Sequence, residues 1–216
     1  EHHRSDFAVS APEIVLAAIA ARTTKLRVGT AVTVLSSDDP IRVFQRFSTL
    51  NAISNGRAEV ILGRGSFTES YPLFGYELSD YDVLFEEKLD IFARLVRQPA
   101  VTWSGTIRPP LTNQIVYPPL APDGLTTWVG VGGSPESVVR VVRQDLQLML
   151  AIIGGVQRRF APYVDLCLHW ALQDCTMVTQ QYSFRLCTQT NQRGTVLEND
   201  LTVRHCYVTP EQGLNN

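Results

Sequence analysis

Apolar runs rich in β-branched residues alternate along this chain with stretches whose apolar positions recur every three or four residues. The runs at 26–35, 58–65, 127–131 and 146–153 each read as a buried strand. Between them the helical pattern appears. Ser10-Ala11-Pro12-Glu13 has the form of a capping box ahead of a helix over 14–21. Asp39-Pro40 opens a second helix, with Ile41, Val43, Phe44, Phe47 and Leu50 on one face and Asn55-Gly56 at its end. A third covers 82–97, a fourth follows Ser134-Pro135, and a fifth covers 160–170. The stretch 98–125 holds six prolines and one β-like piece at 101–105, so it reads as an excursion from the core. Fully apolar strands alternating with helices predict a parallel sheet covered by helices. The unit recurs about every 30–40 residues, which fits either a (β/α) barrel or a doubly wound open sheet.

Composition narrows this little. The 216 residues, 44% hydrophobic with a formal charge of −2, suit one or two domains with a sizeable core. No basic run points to nucleic acid or an anionic membrane, and lysine occurs only at Lys25 and Lys88. No apolar stretch nears the roughly 20 residues of a membrane span, and no signal peptide is read. The four cysteines form no C-x-x-C pair, so zinc or redox use is not expected and a reducing cytoplasm is the default. The chain opens at Glu1 without a methionine and reads as a fragment. After Ala171 alanine disappears and Gln, Thr and Cys take over. The expected organisation is therefore a core over 1–170 and a divergent tail over 171–216, joined where the coding frame is interrupted near 166–172.

Candidate chemistry gathers at strand ends, where parallel α/β folds place their sites. The strand ending at Gly132-Gly133 turns into a helix at Ser134-Pro135, aiming free N–H groups and a positive helix end at one spot. Ser134 and Ser137, one turn apart, can both face an anion there; a tightly capped turn needs the same residues. Arg64, between Gly63 and Gly65, reads either as a bidentate phosphate ligand or as a salt-bridge partner of Glu69 or Glu59. His2 and His3 offer acid–base chemistry or belong to a polar loop. Phe67, Tyr71, Phe74 and Tyr76 line a pocket lid or pack a long loop. A dinucleotide G-x-G-x-x-G, a P-loop and a G-x-S-x-G elbow are all missing, and no metal-ligand spacing follows the histidines. The phosphate is then more simply a cofactor's.

Taken in order, Glu1-His2-His3-Arg4-Ser5-Asp6-Phe7, Val28-Gly29-Thr30-Ala31, Asn55-Gly56-Arg57, Leu62-Gly63-Arg64-Gly65, Phe74-Gly75 and 130–137 resemble the luciferase-like flavin monooxygenases over residues 1 to 166. The resemblance implies a TIM-type (β/α)8 barrel, incomplete in this chain, with about five of the eight units represented. It implies His2 as the histidine acting near the flavin, and Ala31-Val32 as a strand end carrying a non-prolyl cis peptide beside the flavin ring. Arg64, Gly133, Ser134 and Ser137 become ligands of the FMN phosphate. The reaction implied is oxidation of a small organic substrate by O2 through reduced FMN, supplied by a separate flavin reductase to a homodimer. F420-dependent hydride transfer is the alternative on the same fold. Barrel units expected before Glu1 and after residue 166 are not matched, so the chain alone is expected to be poorly soluble or inactive, or to bind flavin or a partner subunit without turnover.

Overall fold

A computed structural model describes residues 1–132, 134–153, 162, 163, 166 and 184–189. Two compact units divide the chain, Glu1–Gly130 and Val131–Asn216.

The first unit opens with an irregular segment and helix α1 (Pro12–Arg22). Proline stands at its first turn, but the expected capping box does not form. The N-cap is Ala11, and Glu13 turns instead to Arg46 Nε at 3.1 Å. The strand expected over 26–35 is two short pieces, β1 (Val28–Gly29) and β2 (Thr33–Val34), followed by a 3-10 turn Leu35–Ser37. Helix α2 (Pro40–Ile53) starts as the sequence predicts, with Asp39 Oδ1 accepting the N–H groups of Ile41 and Arg42 at 2.9 and 3.0 Å. It ends where Asn55 and Gly56 take φ of 55° and 79°. Arg57 then gathers carbonyls from both helix ends, Ala20, Thr23 and Ser54, at 2.7 to 2.9 Å.

Strand β3 (Ala58–Gly63) is the spine of this unit. Both β1 and β2 pair with it in parallel, Val28 opposite Ala58 and Thr33 opposite Leu62. Three residues (30–32) therefore face two (60 and 61), a one-residue bulge in the ladder. On its other edge β3 pairs in parallel with β6 (Thr126–Val131), Val60 opposite Thr127. Alternation gives β3 two faces. Ala58, Val60 and Leu62, all almost fully buried, form one. Val43, Phe44, Phe47 and Leu50 of α2 and Phe85, Leu89 and Phe92 of α4 (Tyr81–Arg97) supply the helical core, with α2 packed on both β3 and α4. Each such side chain contributes about 1.5–3 kcal/mol of burial.

The 66–81 connection is more ordered than its sequence suggests, holding α3 (Ser70–Phe74), a left-handed Gly75 and a 3-10 turn Leu78–Asp80. The proline-rich excursion contains an antiparallel pair, β4 (Ala100–Trp103) with β5 (Leu111–Ile115).

In the second unit, α5 (Pro135–Arg143) buries Val138 and Val141 and packs on β7 (Gln147–Ile153). β7 pairs in parallel with β8 (Phe184–Gln189). The expected tail boundary at 170/171, most of the helix expected over 160–170, Gly154-Gly155 and Cys167, His169, Cys175 and Cys206 lie outside the described residues.

Candidate active site

The exits of β2 and β3 build a platform. The Ala31–Val32 peptide is cis, the bond form the resemblance attaches to this strand end. Thr30 and Thr33 close the bulge beneath it through their buried hydroxyls, 2.8 Å apart. Val32 lies over two glycines. A Cβ at Gly63 would come within 2.5 Å of Val32 Cγ2, and one at Gly130 within 3.0 Å of Cγ1. Glycine at 63 and 130 is thus the condition for Val32 to sit there, half-buried, with Ala31 exposed beside it.

The histidines approach the same strand ends from the N-terminal segment. His2 is held between Phe7 and Phe67, with ring centroids 4.0 and 4.5 Å away. Its Nδ1 lies 3.7 Å from Glu69 Oε1. His3 donates its backbone N–H to that oxygen at 3.4 Å. The His3 ring contacts Phe74 edge-on and sits 3.3 Å from Glu1 Oε1, while the other Glu1 oxygen accepts the N–H of Val34 at 3.1 Å. Partial burial works against ionisation of Glu69. Backbone N–H groups of Glu69 itself and His3, with the charge of His2, nevertheless hold its carboxyl below the usual range. His2, His3, Val34, Gly65, Phe67 and Glu69 line one small cavity.

Arg64 pairs with neither Glu69 nor Glu59. Its Nη1 donates to Asp82 Oδ1 at 2.9 Å, and its guanidinium lies 5.1 Å over the Tyr81 ring, whose hydroxyl donates to the Gly65 carbonyl at 3.1 Å. Helix α4 brings Asp82 up in its first turn, which sequence proximity could not show. Glu59 is occupied elsewhere, accepting from Trp128 Nε1 at 2.8 Å and from Arg27.

Ser134 caps α5 through Ser137 N–H at 3.3 Å, and Ser137 Oγ donates back to the Ser134 carbonyl at 2.6 Å. Their hydroxyls are 3.1 Å apart. Gly133 lies outside the described residues. Of the four loop aromatics, Phe67 and Phe74 are exposed against the histidines, while Tyr71 is buried and stacks on Tyr81 at 5.8 Å.

Sequence reasoning offers Glu69 only as a partner for Arg64 and gives Glu1 and Lys88 no role at the site. Lys88 stands in the apolar stripe of α4, between Leu84, Phe85 and Leu89, and that position was the available signal. It is 3% exposed, donates to the Ser36 carbonyl at 2.6 Å and lies 3.9 Å over the Tyr76 ring. Burial lowers its pKa to about 8 against the opposing charges of Asp38 and Asp39. A larger cavity of about 430 Å³ opens nearby, lined by Glu1, His3, Asp38, Arg46 and Tyr76 among others. No cluster of metal-ligating side chains occurs among the described residues, and no helix among them is long and apolar enough to cross a membrane.

Comparison with known proteins agrees with the motifs. The family model for luciferase-like monooxygenase matches residues 1–158. N-acetyl-S-alkylcysteine monooxygenase of Bacillus subtilis is 29% identical over 156 residues, covering 70% of this chain and 44% of the relative. An alkanal monooxygenase alpha chain of Photorhabdus luminescens is 31% identical over 87 residues, 40% of this chain and 24% of the relative. Monooxygenase RslO1 from Streptomyces bottropensis superimposes with a TM-score of 0.72 at 21% identity, over 82% of this chain and 53% of the other. An F420-dependent secondary alcohol dehydrogenase in complex with an F420-acetone adduct follows at 0.69 and 18%, over 84% and 55%. The oxygenating constituent of 3,6-diketocamphane monooxygenase of Pseudomonas putida, in complex with FMN, gives 0.66 and 14%, over 82% and 52%. This chain spans less than half the length of these curated relatives. Its parallel α/β architecture is that of a (β/α)8 TIM-type barrel, incomplete here, and the open-sheet alternative falls away. On its motifs, its fold and the match over residues 1–158, the chain belongs to the luciferase-like monooxygenase family.

Proposed function

We propose that this chain carries the cofactor-binding part of a flavin-dependent monooxygenase that oxidises a small organic substrate with O2 by way of reduced FMN. The observation that carries the reading is the platform of exposed Ala31 and glycine-backed Val32, which offers small side chains and close backbone approach to a flat ring. When bound, reduced FMN would supply the electrons for chemistry with O2. The protein's share is placement and proton handling. His2, gripped by Phe7 and Phe67, is the acid–base group of the site. Arg64 is the phosphate ligand. Asp82 is 77% exposed, so their ion pair is cheap to exchange for a phosphate. In the second unit, Ser134 and Ser137 stand at a helix start suited to an anion; they and Gly133 are assigned as cofactor-binding on the family pattern alone. The same reading brings a separate flavin reductase, a homodimer and a cytoplasmic setting.

FMN titration of the chain, followed by flavin fluorescence, tests this. Arg64→Ala removes a charge-assisted contact worth about 1.5–3 kcal/mol, so affinity should fall about 10- to 150-fold. An unchanged affinity would remove Arg64 from the site. One structural neighbour holds an F420 adduct, so F420 is the competing ligand in the same titration; preference for it would move the reaction to hydride transfer. Substrate-dependent oxidation of reduced FMN separates a turning-over enzyme from a flavin-binding subunit.

A further inference from the structure

The two ring nitrogens of His2 have different surroundings. Nδ1 faces Oε1 of Glu69 at 3.7 Å, an ion-pair distance, and no hydrogen bond reaches Nε2 among the described residues. Glu69 is not placed by the histidine segment alone. It is the N-cap position of α3, on the connection that leaves β3 through Arg64 and Gly65, and its Oε1 also accepts the His3 N–H at 3.4 Å. Phe7 and Phe67 restrict the ring between them, so it cannot readily turn its other nitrogen to the carboxylate. An anionic acceptor facing one imidazole nitrogen decides which nitrogen carries the proton.

We infer that Glu69 is a positioning residue that holds the neutral His2 ring in its Nδ1–H form, leaving the Nε2 lone pair as the proton acceptor of the site. The inference rests on His2 being the acid–base group proposed above. It adds that the group's working nitrogen is chosen by a carboxylate on the connection that leaves β3. An imidazole without such a partner favours the opposite form, with the proton on Nε2.

The test is a long-range ¹H–¹⁵N correlation spectrum of the uniformly labelled full chain at about pH 9, well above the ordinary histidine pKa of about 6.5. His2 is assigned by its loss in a His2→Gln sample. Wild-type His2 should be mainly Nδ1–H. Glu69→Ala should shift the ratio toward Nε2–H by up to about fivefold, the upper end of what a partly exposed electrostatic pair at this separation supplies. Glu69→Gln keeps the shape and an amide oxygen but no charge, should shift it the same way by less, and decides the matter if the alanine variant does not fold. A wild-type ring mainly in the Nε2–H form, or a folded variant with an unchanged ratio, overturns the inference. FMN titration of the same samples keeps the two questions apart. A wild-type chain that shows the expected tautomer but binds no FMN defeats the flavin reading and leaves the Glu69–His2 relation standing.

Discussion

Replacing Lys88 by Met should flatten the dependence of stability on pH above neutrality. Lys88 is 3% exposed, and burial lowers the pKa of its amine from 10.5 to about 8. Between these values the unfolded chain holds a proton that the folded chain has released, so stability rises with pH across the window. The rise approaches 1.4 kcal/mol per pH unit and totals about 3 kcal/mol, all of it lost as pH falls back through about 8. Below that both states are protonated and the slope vanishes. Tyr71 and Tyr76 work in the opposite direction, because burial raises both pKa values above 10 and the folded chain then keeps protons the unfolded chain loses. Measurements are therefore best confined to pH 7–9.5. Lys88→Met removes the amine while keeping the length of the side chain. It also strands the Ser36 carbonyl and gives up the contact with the Tyr76 ring, so its stability at one pH is not diagnostic. The diagnostic quantity is the difference in slope. Urea midpoints of the two proteins, taken every half unit, should diverge above pH 8 with the wild type gaining. Parallel profiles would refute the reasoning and mean that the buried ammonium is compensated by its neighbours.

Three other outcomes follow from individual contacts. Gly63→Ala drives a Cβ into Val32 and should cost about 1–3 kcal/mol in a thermal melt, together with a loss of FMN affinity. Glu59→Ala leaves the buried Trp128 N–H without its 2.8 Å acceptor and should lower stability by about 2 kcal/mol, measured by urea unfolding. Glu87 clasps the loop after β4, accepting from the N–H and hydroxyl of Thr106 and the N–H of Ile107 at 2.7 to 3.0 Å. Desolvation opposes its ionisation, but these donors hold its carboxyl below the usual range, so the clasp is present above that range and lost as pH falls through the lowered value. Limited proteolysis near 104–110 should accelerate in Glu87→Ala at neutral pH.

What the sequence made legible were features written locally. Asp39-Pro40, Asn55-Gly56 and Ser134-Pro135 mark helix ends through chemistry within three residues, and each lies where it was read. Strand exits were legible for the same reason, since a β-branched run stopped by glycine is a local signal. Partners were not. Arg64 meets Asp82 rather than Glu69 or Glu59 because a helix 18 residues later begins beside it. Glu13 satisfies Arg46 instead of a helix N-terminus because α2 packs against α1. Lys88 hid as an ordinary cation, since only the completed fold shows that its helical stripe is buried. The stretch 26–35 reads as one strand but forms two, because β-branched composition says nothing about ladder register.

That register has a further consequence. Partnered positions in a parallel ladder share a face, so the extra residue at 30–32 reverses the alternation between β1 and β2. Val28 stands on the helix-covered side with Ala58, whereas Val34, an even number of residues later, stands opposite Gly63 on the platform side. The bulge thus works as a phase shifter in the chain's reading frame of inside and outside. Substitutions at 30, 31 or 32 alter one side chain each. Deleting any one of these residues would restore the alternation and turn everything downstream in β2 to the wrong side, so the length of this segment constrains the site more tightly than its composition does.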